Sequence, residues 1–235
     1  MSIKWLYFDI LNQFKAVFAA LEKVEVRVLE AHIEDCVKKA VITDEKKAKN
    51  LLDEVQSQYE SYSSINLTFT YKLSNRREGI NQRAEGTLMA AGDQYKLDVM
   101  GVRQIFDGTM LYTIIDENQE VMIQEGADEE GAVSPKQLFD FYNTGYRFQW
   151  DILQNVSGRK IRYVKLIPTD PNSQTKNLLA GIDIHKKQLY KLIEVGVNGT
   201  ETTIIISKFV VNTNLPPDIF VFDEKTYSDY YIDRF

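Results

Sequence analysis

The stretch INLTFTYKL at residues 65–73 decides how the larger part of this chain folds, because every second residue is apolar. A period of two, with polar residues between the apolar ones, is typical of a half-buried β-strand. The pattern recurs toward the C-terminus, and Gly, Asn and Asp between the runs favour tight turns. The sequence therefore predicts further strands at residues 82–89, 94–100, 103–106, 109–115, 120–124, 146–152, 160–167, 177–185, 188–197 and 201–211.

The first 62 residues have a different apolar period, of three and four, which is typical of helices. The alternation at Val24–Val28 is equally compatible with a short strand. A second helix is predicted from Thr43 as its N-cap, with Asp44 and Glu45 in the first turn. Its apolar face runs from Ala48 to Tyr62. We therefore predict a helical N-terminal extension over residues 1–43 and a β-rich domain over residues 44–235.

A short apolar helix is predicted between the strands, from Ser134 to Tyr142. Ser134 is a suitable cap, and Pro135 would occupy the first helical position, where proline is favoured. Leu138, Phe139 and Tyr142 leave little of its circumference polar. Such a helix has to bury itself, and the inner side of a curved sheet is the natural place. It is therefore expected to form a lid.

Composition and motifs argue against several functions. The net charge is −6, which does not suit a phosphate-backbone partner, so no nucleic acid is expected. The common nucleophile, zinc and phosphate-binding motifs do not occur in the sequence. His32 and Cys36 have a spacing compatible with a metal, but two ligands are too few for a site. We predict no enzyme activity, cofactor or metal, and no run is apolar enough to span a bilayer.

The inward positions of the strands suggest a hydrophobic cavity, because the inner face of a broad curved sheet is not filled by its own side chains alone. The alternative is plain core packing. The predicted lining is Leu67, Phe69, Tyr71, Leu88, Tyr95, Leu97, Leu111, Phe148 and Trp150, with Leu138, Phe139 and Tyr142 as the lid.

Several phrases in this sequence resemble the LolA-type outer-membrane lipoprotein carrier family. Glu85-Gly86-Thr87-Leu88, Tyr95-Lys96-Leu97 and the run from Ile105 to Ile114, with Asp107-Gly108 and Leu111-Tyr112, occur in the family's order. The segments 48–73, 134–142, 164–168, 181–184 and 218–222 also fall in order. Together the match covers roughly residues 44–222, and its specificity lies in the order and spacing of the phrases rather than in any one of them.

The resemblance implies a mainly β fold with helices: an antiparallel open, incomplete β-barrel of about ten strands with a helical lid, plus the extra N-terminal helical segment here. It implies a periplasmic chaperone that shelters the acyl chains of lipoproteins, an inner-membrane ABC transporter as donor and an outer-membrane acceptor. The family's lid-latching Arg is missing, because residues 89–93 read Met-Ala-Ala-Gly-Asp; Arg83 and Arg103 are the candidates to replace it.

Two other functions stay open from the sequence. A lipid- or partner-binding sensor module on the same scaffold would use the N-terminal apolar stripe, from Ile3 to Val28, as a docking face. An enzyme is the third hypothesis, and turnover that depends on a single acidic residue would support it.

Overall fold

The computed structural model describes residues 23, 27, 38–126, 142, 144–216 and 218–235. The chain divides into two compact units, Met1–Lys47 and Ala48–Phe235. Most of the first unit, including the N-terminal stripe, lies outside the described residues. The predicted lid helix also lies outside them, apart from Tyr142. Within the described part of the chain, no helix is both long and apolar enough to cross a membrane.

One long helix, α1, spans Lys38–Glu60. It begins five residues before the predicted cap at Thr43, so that cap prediction is wrong. The sequence there contains no Gly or Pro to stop a helix, and a suitable cap residue does not by itself end one. The predicted apolar face is observed: Ala48, Leu51, Leu52, Val55 and Tyr59 are all buried. They recur every three or four residues, so a single stripe of α1 faces the core.

Twelve strands form one sheet. Eleven of the twelve coincide with the predicted runs to within a few residues. Their bounds are β1 Ile65–Asn75, β2 Ile80–Ala91, β3 Gln94–Val99, β4 Val102–Phe106, β5 Met110–Ile115, β6 Glu120–Glu125, β7 Tyr146–Val156, β8 Arg159–Pro168, β9 Thr175–Asp183, β10 Gln188–Gly196, β11 Glu201–Val211 and β12 Tyr231–Arg234.

The sheet consists of two antiparallel meanders placed side by side. Its order is β12-β6-β5-β4-β3-β2-β1-β11-β10-β9-β8-β7. The first meander runs from β1 to β6 and the second from β7 to β11, and the pairing of β1 with β11 joins them. The short β12 adds in parallel beside β6. The two ends of the sheet, β12 and β7, are not neighbours, so the predicted unclosed antiparallel architecture is confirmed, with twelve strands rather than about ten.

The two faces of the sheet carry separate hydrophobic clusters. We call the face that packs against the apolar stripe of α1 the inner face, and it holds the larger cluster. On the opposite, outer face, Ile105, Ile114, Val121 and Ile123 of β4–β6 form a second cluster. Aromatic residues of the C-terminal segment, among them Phe222 and Tyr227, cover that second cluster. The C-terminal segment, residues 218–235, therefore covers the outer face at β4–β6, while α1 covers part of the inner face.

Candidate functional site: an apolar cavity on the inner face

An apolar cavity of about 170 Å³ lies on the inner face, where the two meanders meet. Five strands supply its walls: β1, β2 and β3 on one side, and β10 and β11 on the other. The register places these residues opposite one another, for example Tyr71 beside Ile204 and Leu67 beside Leu88. The lining residues are Leu67, Phe69, Tyr71, Leu88, Leu97, Val99, Leu189, Leu192, Ile204 and Ile206. Apart from the Tyr71 hydroxyl, these side chains are hydrocarbon.

A glycine in β2 makes room for one wall of this cavity. A Cβ atom added at Gly86 would lie 2.4 Å from Cζ of Phe69, which is far inside van der Waals contact. The ring of Phe69 therefore lies over the backbone of β2 at Gly86. Leu88, two residues later on the same face, lines the cavity directly. The Gly-x-Leu phrase thus has a physical role here: the glycine accommodates an aromatic ring and the leucine supplies wall.

Five of the nine predicted cavity residues line the cavity: Leu67, Phe69, Tyr71, Leu88 and Leu97. The other four lie elsewhere in the inner-face cluster. Tyr95 and Leu111 are 0% and 1% exposed. Phe148 is buried, and Trp150 is half-buried with the guanidinium of Arg162 5.3 Å from its ring centroid.

Tyr142 is the only predicted lid residue that the structure describes; Leu138 and Phe139 lie outside the described residues. Its side chain is buried, and its hydroxyl donates a hydrogen bond to Oε1 of Gln56 in α1 at 2.8 Å. Its ring makes an edge-to-face contact with Phe148, with centroids 6.4 Å apart. Tyr142 therefore connects α1 to the β7 end of the sheet.

Sequence reasoning missed Val99 of β3 and the side of the cavity that comes from β10 and β11, which supply four of its ten lining residues. Both strands were predicted, but no residue in either was assigned to the cavity. The run Ile204-Ile205-Ile206 is apolar at consecutive positions, so the sequence shows no alternation that would tell which residues point inward. Pairing with β1 settles this, because Ile204 and Ile206 lie opposite Tyr71 and Phe69.

Neither candidate for the missing latch reaches α1 through a hydrogen bond or ion pair that the structure describes. Arg103 donates to Asp98 Oδ1 at 2.9 Å and to the hydroxyl of Tyr227 at 3.1 Å, which ties β4 to the C-terminal segment instead. Arg83 forms an exposed pair with Glu85. Helix α1 is joined to the β9–β10 turn by an ion pair between Lys187 Nζ and Glu54 Oε2, at 2.5 Å.

Two tyrosines beside the cavity are strongly shielded from water. Burial raises the pKa of Tyr59 well above its ordinary value, although a hydrogen bond with the backbone of Leu189 opposes this. Burial also raises the pKa of Tyr95 to about 12. Both hydroxyls therefore stay protonated at neutral pH. Among the described residues no cluster of three or more His, Cys, Asp or Glu could hold a metal ion.

Comparison with solved structures defines the class of fold. A crystal structure of an uncharacterized conserved protein from Thermus thermophilus matches with a TM-score of 0.55 and 10% identity, over 80% of this chain and 99% of that one. A LolA superfamily protein from Nitrosomonas europaea matches with a TM-score of 0.38 and 11% identity, over 75% and 98%. LprF from Mycobacterium bovis matches with a TM-score of 0.44 and 10% identity, over 73% of this chain and 95% of that one. The match to the Thermus thermophilus protein, with its TM-score above 0.5, shows a shared fold: an unclosed antiparallel sheet with a helix on its inner face.

The sequence comparisons concern a different part of the chain. A family model described as a metal-sensitive transcriptional repressor matches residues 7–57, less than half of the chain. Most of that segment lies outside the described residues, and the match ends before β1. The search of curated proteins found no match.

Proposed function

We propose that this protein is a carrier that shelters an acyl chain of a lipoprotein or lipid in its inner-face cavity. The observation that supports this most is the hydrocarbon lining, which comes from five strands and contains no charged side chain. Each methylene removed from water contributes about 0.8 kcal/mol, so such a cavity binds a chain without any catalytic group. The proposed role is binding and release rather than chemistry.

The wider role is proposed from the resemblance to LolA-type carriers. The protein would work in the periplasm, accept acylated lipoproteins from an inner-membrane ABC transporter and deliver them to an outer-membrane acceptor. The order of the sequence phrases supports this, as does the unclosed antiparallel sheet that the resemblance predicts. We further propose that Tyr95, Leu111, Phe148 and Trp150 extend the site when the lid residues Leu138, Phe139 and Tyr142 move aside.

The size of the cavity limits what it can hold in the described conformation. A volume of 170 Å³ is close to that of an engineered apolar cavity of about 150 Å³ that stays dry and binds benzene. It therefore accommodates one segment of an acyl chain and not its full length. Binding a complete chain requires the inner face to open further, and α1 and Tyr142 cover the neighbouring part of that face.

Chain length provides the first test. Alcohols from four to twelve carbons are titrated against a fluorescent acyl probe held by the purified protein. Each added methylene should tighten binding about fourfold until the cavity is filled, since about 0.8 kcal/mol corresponds to that factor. Affinity that does not depend on chain length would contradict an acyl site.

A matched pair of variants provides the second test. Leu192→Glu introduces a charge into the cavity wall at a half-buried position, whereas Lys191→Glu places the same side chain one residue earlier, on the opposite face of β10. We expect Leu192→Glu to lower acyl affinity at least tenfold and Lys191→Glu to leave it unchanged. Native mass spectrometry of both variants, purified gently from a Gram-negative host, shows whether lipid adducts disappear in parallel.

A further inference from the structure

A second, polar pocket of about 110 Å³ lies beside the apolar cavity, where the sheet is locally open. Strands β10 and β11 pair from Lys191 opposite Ile205 to Val195 opposite Glu201. Past Lys191 their pairing stops, and the pocket lies between residues 188–190 and residues 206–209. It is lined by Arg159, Asp183, Lys186, Gln188, Leu189, Tyr190, Ile206, Ser207 and Phe209.

The charged residues of this pocket are of both signs. Arg159 is held over the ring of Tyr190, with its guanidinium carbon 4.7 Å from the ring centroid. Such stacking fixes the direction of its donors. Lys186 is exposed in the β9–β10 turn and contributes a second positive charge. Two cations on one pocket favour a ligand with acidic oxygens.

Asp183 gives the pocket an unsatisfied acceptor. This residue is only 3% exposed. Its Oδ1 accepts hydrogen bonds from the backbone N–H groups of His185 and Lys186, both at 3.1 Å. Its Oδ2 is buried and has no hydrogen-bond partner in the described part of the chain. A buried acceptor left unpaired is costly, so a ligand that donates a hydrogen bond here would gain affinity.

The polar pocket and the apolar cavity share two of their walls, Leu189 and Ile206. The two spaces therefore adjoin at the gap between β10 and β11, and a ligand that passes through this gap would contact both. The arrangement is that of an amphiphile site, with a hydrocarbon lining for the tail and a few charged groups that fix the polar end.

We propose that the polar pocket binds the head of an amphiphile whose tail enters the apolar cavity, and that this head is of the phosphoethanolamine type. Phosphate oxygens would accept from Arg159 and Lys186, and the ammonium group would donate to Oδ2 of Asp183. This inference rests on the proposed acyl carrier function, because without a tail in the cavity the head has no anchor.

Three probes with the same twelve-carbon chain test the head separately from the tail. They are lysophosphatidylethanolamine, lysophosphatidylcholine and a monoacylglycerol, each titrated below its critical micelle concentration against a fluorescent acyl probe. Lysophosphatidylcholine has the same phosphate, but its trimethylammonium group has no N–H to donate. We expect the ethanolamine lipid to bind about tenfold more tightly than the choline lipid, and the monoacylglycerol to bind most weakly.

Variants of the pocket residues show which residue binds each part of the lipid head. Asp183→Asn should remove the difference between the ethanolamine and choline lipids. Lys186→Gln, at an exposed position that the fold does not depend on, should weaken both phospholipids and leave the monoacylglycerol unchanged. Arg147→Gln, an exposed arginine of β7 outside both pockets, is the matched control. If Asp183→Asn does not fold, the Lys186 variant and the comparison of the three lipids on the natural chain still test the proposed head site.

The outcomes separate the two proposals. Equal affinity for all three lipids would overturn the proposed head site and leave the acyl carrier intact. Failure of all three to displace the probe, together with no dependence on chain length, would overturn both. A preference for the ethanolamine lipid that survives Asp183→Asn would contradict the role given to Asp183.

Discussion

At the scale of single residues, two glycines make room for aromatic rings on opposite faces of the sheet. Gly86 lies under Phe69 on the inner face. Gly181 lies under Tyr163 on the outer face, where a Cβ atom would be 2.7 Å from the ring. Both positions are inside strands, where glycine is otherwise unfavourable because it contributes no packing. The tight contacts explain why the chain has glycine there.

These two glycines provide a prediction with an internal control. Gly86→Ala and Gly181→Ala should each lower the free energy of unfolding by about 1–3 kcal/mol, because a strand residue and a ring are forced apart. Only Gly86→Ala should also weaken acyl binding, since only Phe69 lines the cavity. Urea unfolding and probe titration measure the two effects. Equal loss of binding in both variants would show that Phe69 does not shape the site.

Tyr95 carries a buried hydroxyl without a hydrogen-bond partner in the described part of the chain. Removing an unsatisfied polar group is nearly neutral or stabilising, so Tyr95→Phe should unfold at the same or a higher urea concentration. The hydroxyl also predicts a pH dependence, since burial raises the pKa of Tyr95 to about 12 from an ordinary value near 10.

The sign of that dependence follows from proton binding. Between about pH 10 and pH 12 the unfolded chain loses the Tyr95 proton and the folded protein keeps it, so unfolding is increasingly favoured as pH rises. Below pH 10 both states keep this proton, so the contribution of Tyr95 to the free energy of unfolding is fully present there. Tyr95→Phe should therefore lose less stability than the natural chain over this interval, as measured by urea unfolding. An identical alkaline slope in both proteins would contradict this.

At the scale of elements, α1 is held to the sheet mainly by its apolar stripe. The side chains of the Lys187–Glu54 pair are 35% and 55% exposed, and exposed pairs contribute about 0–1 kcal/mol. By contrast, Leu52 is 3% exposed, and truncating a buried leucine costs about 2–5 kcal/mol. We expect a helix held this way to detach when another apolar surface takes its place, which suits the proposed release of cargo.

We therefore expect Leu52→Ala to destabilise the protein by about 2–5 kcal/mol, and Glu54→Gln by less than about 1 kcal/mol. Hydrogen exchange of the α1 amides, measured in both variants, shows whether the helix detaches separately from the sheet. If Glu54→Gln exposed α1 as much as Leu52→Ala did, the ion pair would be a true latch.

In the molecule as a whole, the C-terminal segment covers the outer face of the first meander at β4–β6. Phe222 stacks between Tyr112 and Tyr227, with ring centroids 4.5 Å and 5.3 Å away. The segment then adds β12 beside β6, with Tyr231 N–H donating to the carbonyl of Gln119 at 2.8 Å. The first meander therefore depends on the last eighteen residues of the chain for its outer cover.

This separation of faces leads to a prediction about stability without loss of binding. Phe222→Ala should lower the free energy of unfolding by at least about 1 kcal/mol, because two stacked contacts and their buried area are lost. It should leave acyl affinity unchanged, since the cavity lies on the other face. Val221→Ala is the control, at a neighbouring side chain that is 60% exposed. Loss of binding in Phe222→Ala would mean that the two faces are coupled.

The local structure of most of the described chain can be predicted from its apolar periods and turn residues. A period of two and the turn residues located eleven strands, and a period of three and four located the stripe of α1. The four-residue β12 is not predicted, because Tyr-Ile-Asp-Arg is too short to show an apolar period. The start of α1 was misplaced because a capping residue permits a helix end but does not require one.

Which strands are neighbours depends on tertiary packing and cannot be read from local patterns. Phe69 and Ile206 lie 137 positions apart in the chain and opposite each other in the sheet. This pairing creates the cavity between β1–β3 and β10–β11, and the early end of the β10–β11 ladder creates the polar pocket beside it. The alternation of side chains follows from each strand's own backbone, so it can be predicted from the local sequence. The register and the partner of a strand depend on which apolar surfaces the whole chain buries against one another.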